Sequence, residues 1–186
     1  MKLSTTFFVN VGPNLASQIP DLETSFDNYL PEPVPESFDW LPVTPFEIGD
    51  MLRGCDQKKA CGHDNLLVKL LVDSAQYISH PLSYIFNLSL QLGIFPDSMK
   101  IAKVSPVYKK KGDREQPGNY RPISVLPVLS KIFEKLVNGR LIKFLDTYEI
   151  LYKHQYGFRD NHSTKLAVIN LINQLVHYHD EGRVKI

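Results

Sequence analysis

Six cationic side chains gather around two short apolar segments near the middle of the sequence: Lys103, Lys109, Lys110, Lys111, Arg114 and Arg121. Cations carried on a loop can close over a polyanion, so a triphosphate or a nucleic acid is the natural guest. Three consecutive lysines equally describe a solvated loop that keeps an edge strand from aggregating. Arg121 is more specific. It sits in Tyr120-Arg121-Pro122-Ile123 among apolar residues, and an arginine so flanked usually has a fixed partner for its planar fork. A second candidate is Tyr156-Gly157-Phe158-Arg159. There a glycine permits close backbone approach, and the Phe and Arg could stack on a base or grip a phosphate. The same four residues could instead be a helix connection with Phe158 buried as a plug.

Other chemistries find little support. Two-metal phosphoryl transfer needs carboxylates for its Mg2+ ions, yet no segment pairs two aspartates or sets one on an apolar strand: Asp64, Asp73 and Asp97 fall in or beside expected helices, Asp113 and Asp160 in polar loops. A phosphate-cradling glycine loop ending in Lys and Ser or Thr is missing, as is a serine nucleophile between glycines. His177 and His179 lie about 200° apart on a helix and make a poor metal pair. Cys55 and Cys61 have no second pair to complete a zinc site and read as free thiols of a reducing, intracellular compartment, cytoplasm or nucleus. The start of the chain has an apolar run, Phe7-Phe8-Val9, too short for a signal peptide core or a membrane span.

The elements that would carry these groups can be read from periodicity and punctuation. Thr44-Pro45-Phe46-Glu47 has the form of a capping box with proline at the first helical position, which predicts a helix to about Gly54. Between Asn65 and Gly93 apolar residues recur at helical spacing, and Pro81 divides the stretch into two expected helices. Ile101 to Lys109 and Tyr120 to Leu126 read as strands of a hairpin with a long basic tip. Val128 to Leu145 and Ser163 to Glu181 read as amphipathic helices, and Val184-Lys185-Ile186 as the opening of a further strand.

Charge divides the chain. Residues 1 to 50 hold one basic residue, Lys2, against eight acidic ones, a net of −7, while residues 51 to 186 hold 20 basic and 12 acidic, a net of +8. Seven of the 13 prolines lie in residues 1 to 45, including Pro31, Pro33 and Pro35. Such a segment reads as a leader, 1–43, extended or wrapped around something else, ahead of one domain, 44–186.

Taken in order, these segments resemble the beginning of the reverse transcriptases of non-LTR (LINE-type) retrotransposons. Lys59-Ala60-Cys61-Gly62-His63-Asp64 resembles the family's opening element and Asn119-Tyr120-Arg121-Pro122-Ile123-Ser124 its second fingers motif. His154-Gln155-Tyr156-Gly157-Phe158-Arg159 with Ser163-Thr164 resembles the motif that follows. The family usually has Pro and Gly where this chain has His63 and Asn65, and Pro-Gly-Arg where it has Asp160-Asn161-His162. It also usually has an apolar residue at Ser105.

The resemblance implies an α+β fold, the fingers and incipient palm of a right-hand polymerase, mainly helical with a basic β-hairpin. It implies that Arg121 with Lys109 or Lys110 binds nucleotide triphosphate. Lys103, Lys111, Arg114, Gly157, Phe158 and Arg159 would face the RNA template and DNA primer. Mg2+ is implied only for the complete polymerase, whose catalytic aspartates are not among these 186 residues. The chain alone is therefore expected to be catalytically inactive. The alternatives are a non-catalytic RNA- or DNA-binding module, using the hairpin and Lys131, Lys135, Arg140 and Lys143, or a non-functional relic of a transposable element.

Overall fold

The computed structural model describes residues 5–20, 25, 30 and 32–182. The strand expected at Val184-Lys185-Ile186 and Pro31 of the proline series lie outside the described residues. Seven α-helices and one two-stranded antiparallel hairpin are seen among the described residues, an α+β arrangement. The chain divides into two compact units, 1–32 with 36–141 and Pro33–Pro35 with 142–186, so that one division falls at Leu141–Ile142 inside a helix.

The leader is not extended throughout. Thr5–Ala16 forms a helix, α1, with Pro13 inside it. The prolines further on allow no such helix, and from Glu32 to Val43 no regular element forms. Helix α2, Pro45–Arg53, begins at the predicted Thr44 cap, whose Oγ1 accepts from Glu47 N at 3.1 Å, and ends at Gly54. The Glu47 carboxylate does not turn back to complete the box. It receives both arms of the Arg140 guanidinium, at 3.0 and 2.9 Å.

The break expected at Pro81 lies instead at Ser74, between α3 (Val68–Asp73) and α4 (Ala75–Leu92). Ser74 donates its hydroxyl to the Leu70 carbonyl at 2.7 Å, and a serine bonding its own backbone competes with helix continuation. Pro81 is tolerated inside α4 because it lies on the exposed face with Tyr77 and Tyr84, where water can serve the carbonyl that loses its donor. Gly93, at φ 65°, ends α4 in the left-handed conformation.

The core of the first unit is built from α2, α3, α4 and the first half of α6 (Val128–Thr147). Phe133 of α6 stacks on Phe86 of α4 with centroids 4.5 Å apart and on Phe95 at 5.2 Å, both nearly parallel. Ile48, Leu52, Val68, Leu71, Leu82 and Leu136 close around them. Asn87 clamps the end of the leader, accepting from Val43 N at 2.7 Å and donating to Val43 O at 2.8 Å.

A short helix α5 (Asp97–Lys100) leads into strand β1 (Lys103–Tyr108), which pairs with β2 (Tyr120–Val125) from Lys103↔Val125 to Tyr108↔Tyr120. The root of this hairpin is fixed to the core. Ser130, fully buried, donates to the Met99 carbonyl at 2.8 Å. Gly62 lies so close to the chain just after β2 that a Cβ there would stand 2.6 Å from Pro127 N. Beyond the root neither face of the ribbon is deeply covered, and Val104, Val107 and Ile123 stay exposed.

The second unit contains the end of α6, a loop, and α7 (Thr164–Asp180), capped by Ser163 whose Oγ accepts from Leu166 N at 3.2 Å. None of the described residues of α7 is buried. Its apolar stripe, Leu166, Ile169, Ile172 and Leu175, is present as the periodicity predicts and remains exposed. Among the described residues, no helix is long and apolar enough to cross a membrane.

Gly62 generates a test of this packing. The Gly62→Ala change forces its methyl into the Leu126–Pro127 backbone and should destabilise the first unit by about 1–3 kcal/mol, the usual cost of overpacking. A denaturant melt of the variant at the wild-type midpoint would show that the close approach is not real.

Candidate functional site

The basic hairpin tip is tied by hydrogen bonds within the loop. Lys109 N donates to Asn119 O at 2.8 Å and Lys109 Nζ to Gly118 O at 2.7 Å, so backbone and side chain of one residue close the loop twice. Asn119 reaches across it and donates from Nδ2 to Asp113 O at 2.7 Å. Gly112, at φ 81°, fits over that amide; a Cβ there would come within 2.6 Å of Asn119 Nδ2. Asp113 accepts from Glu115 N at 2.9 Å, and the Tyr108 and Tyr120 hydroxyls donate to the Gly112 and Arg114 carbonyls. The Arg114 guanidinium lies 5.2 Å from the Tyr108 ring centroid, a cation over an aromatic face.

This accounting sorts the cations. Lys109 and Arg114 are engaged within the loop, whereas the side chains of Lys103, Lys110, Lys111 and Arg121 are exposed and make no hydrogen bond or ion pair among the described residues. The fixed partner that the apolar flanks of Arg121 suggested is therefore not found among the described residues. Physically, the ribbon has no covering layer, so the arginine meets solvent where it would otherwise meet a core. Strand alternation puts Arg121 on the same face as Lys103, Val107 and Ile123, directly across from Val107. Lys110 holds its backbone in the left-handed region at φ 59°, a conformation that costs a non-glycine residue about 1 kcal/mol or more.

Asn119 and Gly112, which build this loop, look like generic polar spacers in the sequence. The available signal was their pairing: a glycine able to take positive φ on one side of a loop and an amide opposite it.

The second candidate lies in the second unit. Phe158 is not a plug: its ring is fully exposed and its backbone is left-handed at φ 60°. Gly157 has open space where a Cβ would be, so within the described residues no close approach requires it. Arg159 is not free to grip a phosphate unaided, because its guanidinium stands 3.5 Å from the Asp146 carboxylate. Tyr156 accepts a hydrogen bond at its hydroxyl from Asn170 Nδ2, which ties the loop to α7.

Arg140 is also reassigned. Its side chain is only 14% exposed; besides the Glu47 fork it donates from Nε to Leu41 O at 3.1 Å. It stitches the leader, α2 and α6 together and cannot serve as a nucleic-acid contact on α6. Lys131 and Lys135 remain exposed on that helix. His177 and His179 are at the surface beside Glu181 and Asp180. Among the described residues no three His, Cys, Asp or Glu side chains are grouped to hold a metal ion.

A comparison with protein-family models finds no match. Curated relatives are found. A probable RNA-directed DNA polymerase from transposon X-element of Drosophila melanogaster is 30% identical over 143 residues, covering 75% of this chain and 16% of the relative. One from transposon BS of the same organism is 34% identical over 148 residues, 76% of this chain and 16% of the relative. The RNA-directed DNA polymerase from mobile element jockey, also of Drosophila melanogaster, is 33% identical over 150 residues, 79% and 16% respectively. The chain thus spans about 16% of the length of these relatives.

The exposed, left-handed Phe158 can be checked independently of any ligand. Phe158→Gly removes no buried contact and relieves a positive φ, so it should leave stability unchanged or raise it by about 1 kcal/mol. A loss of more than about 1 kcal/mol in urea unfolding would mean that the ring is packed after all.

Proposed function

We infer, from the chain's homology over three quarters of its length to one part of the RNA-directed DNA polymerases of non-LTR retrotransposons, that these residues form the fingers and the beginning of the palm of such an enzyme. In this reading residues 44–186 are the polymerase part and 1–43 a leader to it. The hairpin presents Arg121 with Lys110 to the triphosphate of an incoming nucleotide, and Lys103, Lys111 and Arg114 to the nucleic-acid backbone. Lys109 contributes mainly by closing the loop from which its neighbours project.

The observation that carries this reading is the contrast inside one loop. Its backbone is tied by Lys109, Asp113, Asn119 and both tyrosines, while Lys110, Lys111 and Arg121 are left without partners among the described residues. A tied loop holding unpaired cations is preorganised for an anion, because the ordering cost is met before the ligand arrives. An arginine fork suits a phosphate better than a lysine point charge does, which favours Arg121 as the anchor. The Gly157-Phe158-Arg159 segment offers an exposed ring on which a template base could stack.

Polymerisation requires metal-bound carboxylates, and the described residues supply no set that fits. We expect no incorporation of labelled nucleotide on an RNA template by this chain in Mg2+ buffer; template-dependent product that survives removal of contaminating polymerases would overturn the inactivity. Binding is the surviving activity. Single-stranded RNA should bind with strong salt dependence, and the Lys103, Lys111, Arg114 triple alanine variant should flatten the log-log salt slope by about 2, at ~0.7 per phosphate contact. An unchanged slope, measured by fluorescence anisotropy, would remove the hairpin from the interface.

A further inference from the structure

A cavity of about 280 Å3 opens on the first unit, between the end of α2, the loop that follows it and the start of α6. It is separate from the hairpin, and none of the hairpin residues given a nucleotide or nucleic-acid role lines it, although Lys131 and Lys135 of the alternative nucleic-acid-binding reading do. Its apolar wall is made by Met51, Val68, Val128 and Ile132, the last three of them core residues. Three lysines, Lys59, Lys131 and Lys135, also line it, with Asp56 as the one acidic residue among the lining.

None of the three ammonium groups has a hydrogen bond or ion pair among the described residues. Lys131 and Lys135 are one helical turn apart on α6 and so share a face. Lys59 comes from the opposite side, held by the turn in which its N–H donates to Asp56 O at 3.1 Å. The Cys55 thiol, half-buried, looks onto the same space and donates to Met51 O at 3.3 Å.

We propose that this cavity binds a small anionic amphiphile, an aromatic or branched hydrocarbon body bearing one sulfonate, carboxylate or phosphate group. The two halves of the lining exclude simpler occupants. A bare inorganic anion would use the lysines and leave the apolar wall in contact with water. A neutral hydrocarbon would use the wall and gain nothing from three unpaired cations. A body buried against the wall, with its charge among the lysines, uses both: apolar contact removes the wall from water, and the cations hold the head at the water boundary where their stems can stretch. The volume is near the lower end of the range for small-molecule pockets, about 300–1,000 Å3, which suits a one- or two-ring body. Burial pushes the Cys55 thiol up, opposed by the nearby Lys135 and Lys131, so the thiol reports on what fills the space.

The test uses the 186-residue chain with 2-naphthalenesulfonate as probe, followed by amide chemical shifts and by the rate at which Cys55 is alkylated, read on its own peptide by mass spectrometry. Saturating probe should slow Cys55 alkylation at least fivefold and leave Cys61 unchanged. The Lys131→Ala, Lys135→Ala double variant, altering exposed residues only, should weaken binding at least tenfold. Ala60→Trp, which narrows the cavity and keeps every cation, should weaken it similarly. Inorganic sulfate and 2-naphthol, the head and the body alone, should not compete at the probe's own concentration. Binding that survives Ala60→Trp, sulfate competing as well as the probe, or displacement by a short single-stranded RNA at lower concentration would each overturn the proposal, the last by making the lysines a polynucleotide contact.

Discussion

Phe133 lies between Phe86 and Phe95, and through this stack α6 is held to α4 and to the turn before α5. Helices α2, α3 and α4 are neighbours along the chain and pack locally. α6 follows a hairpin and a loop, so its docking has to repay a longer chain closure. Three aromatic faces at stacking distance, with Ile132 and Leu136 beside them, provide the area for that. The same docking brings Ser130 to the Met99 carbonyl and Leu126–Pro127 against Gly62, and these two contacts grip the hairpin at its root. A basic loop some way from the core thus inherits its position from an apolar contact.

The hairpin itself is poorly covered. A two-stranded ribbon is marginal in water without a third strand or a packed face. Here the compensation is concentrated at the two ends: the root contacts on one side, and on the other a tip in which Lys109, Asp113, Asn119, Tyr108 and Tyr120 satisfy the loop backbone. The middle of the ribbon keeps Val107 and Ile123 exposed beside Arg121, and Val104 exposed on the other face. Apolar surface next to an unpaired arginine is the composition of a surface that meets both a hydrophobic body and an anion. α7 in the second unit has a comparable exposed stripe.

Two departures from the resembled family acquire a physical account. Where that family has glycine beside its opening aspartate, this chain has Asn65, and Asn65 has φ 57°. Where the family has the glycine of Pro-Gly-Arg, this chain has Asn161, with φ 60°. Asparagine is among the side chains that tolerate the left-handed region best, so both replacements keep the backbone turn at small cost. His162, in place of the arginine, bonds through Nδ1 with the Asp160 carbonyl and serves the local turn.

The sequence by itself determined what depends on neighbours a few residues apart. The Thr44 cap with Pro45, the αL stop at Gly93, the hairpin strands and the periods of α6 and α7 are local physics, a matter of φ preference, capping and spacing, and all were legible. So was the homology, because its motifs stand in series. Only the tertiary structure decided which charges are spent internally. Arg140 and Lys131 look alike on a helix of known period, yet one is buried against Glu47 and Leu41, far away in sequence, and the other faces a cavity. Lys109, Lys110 and Lys111 are indistinguishable as letters, and the side-chain bond to Gly118 together with the backbone bond to Asn119 separates the first from the others. Pro81 and Ser74 exchanged roles for the same reason: whether a proline breaks a helix depends on whether its orphaned carbonyl faces water, and burial is a property of the folded chain.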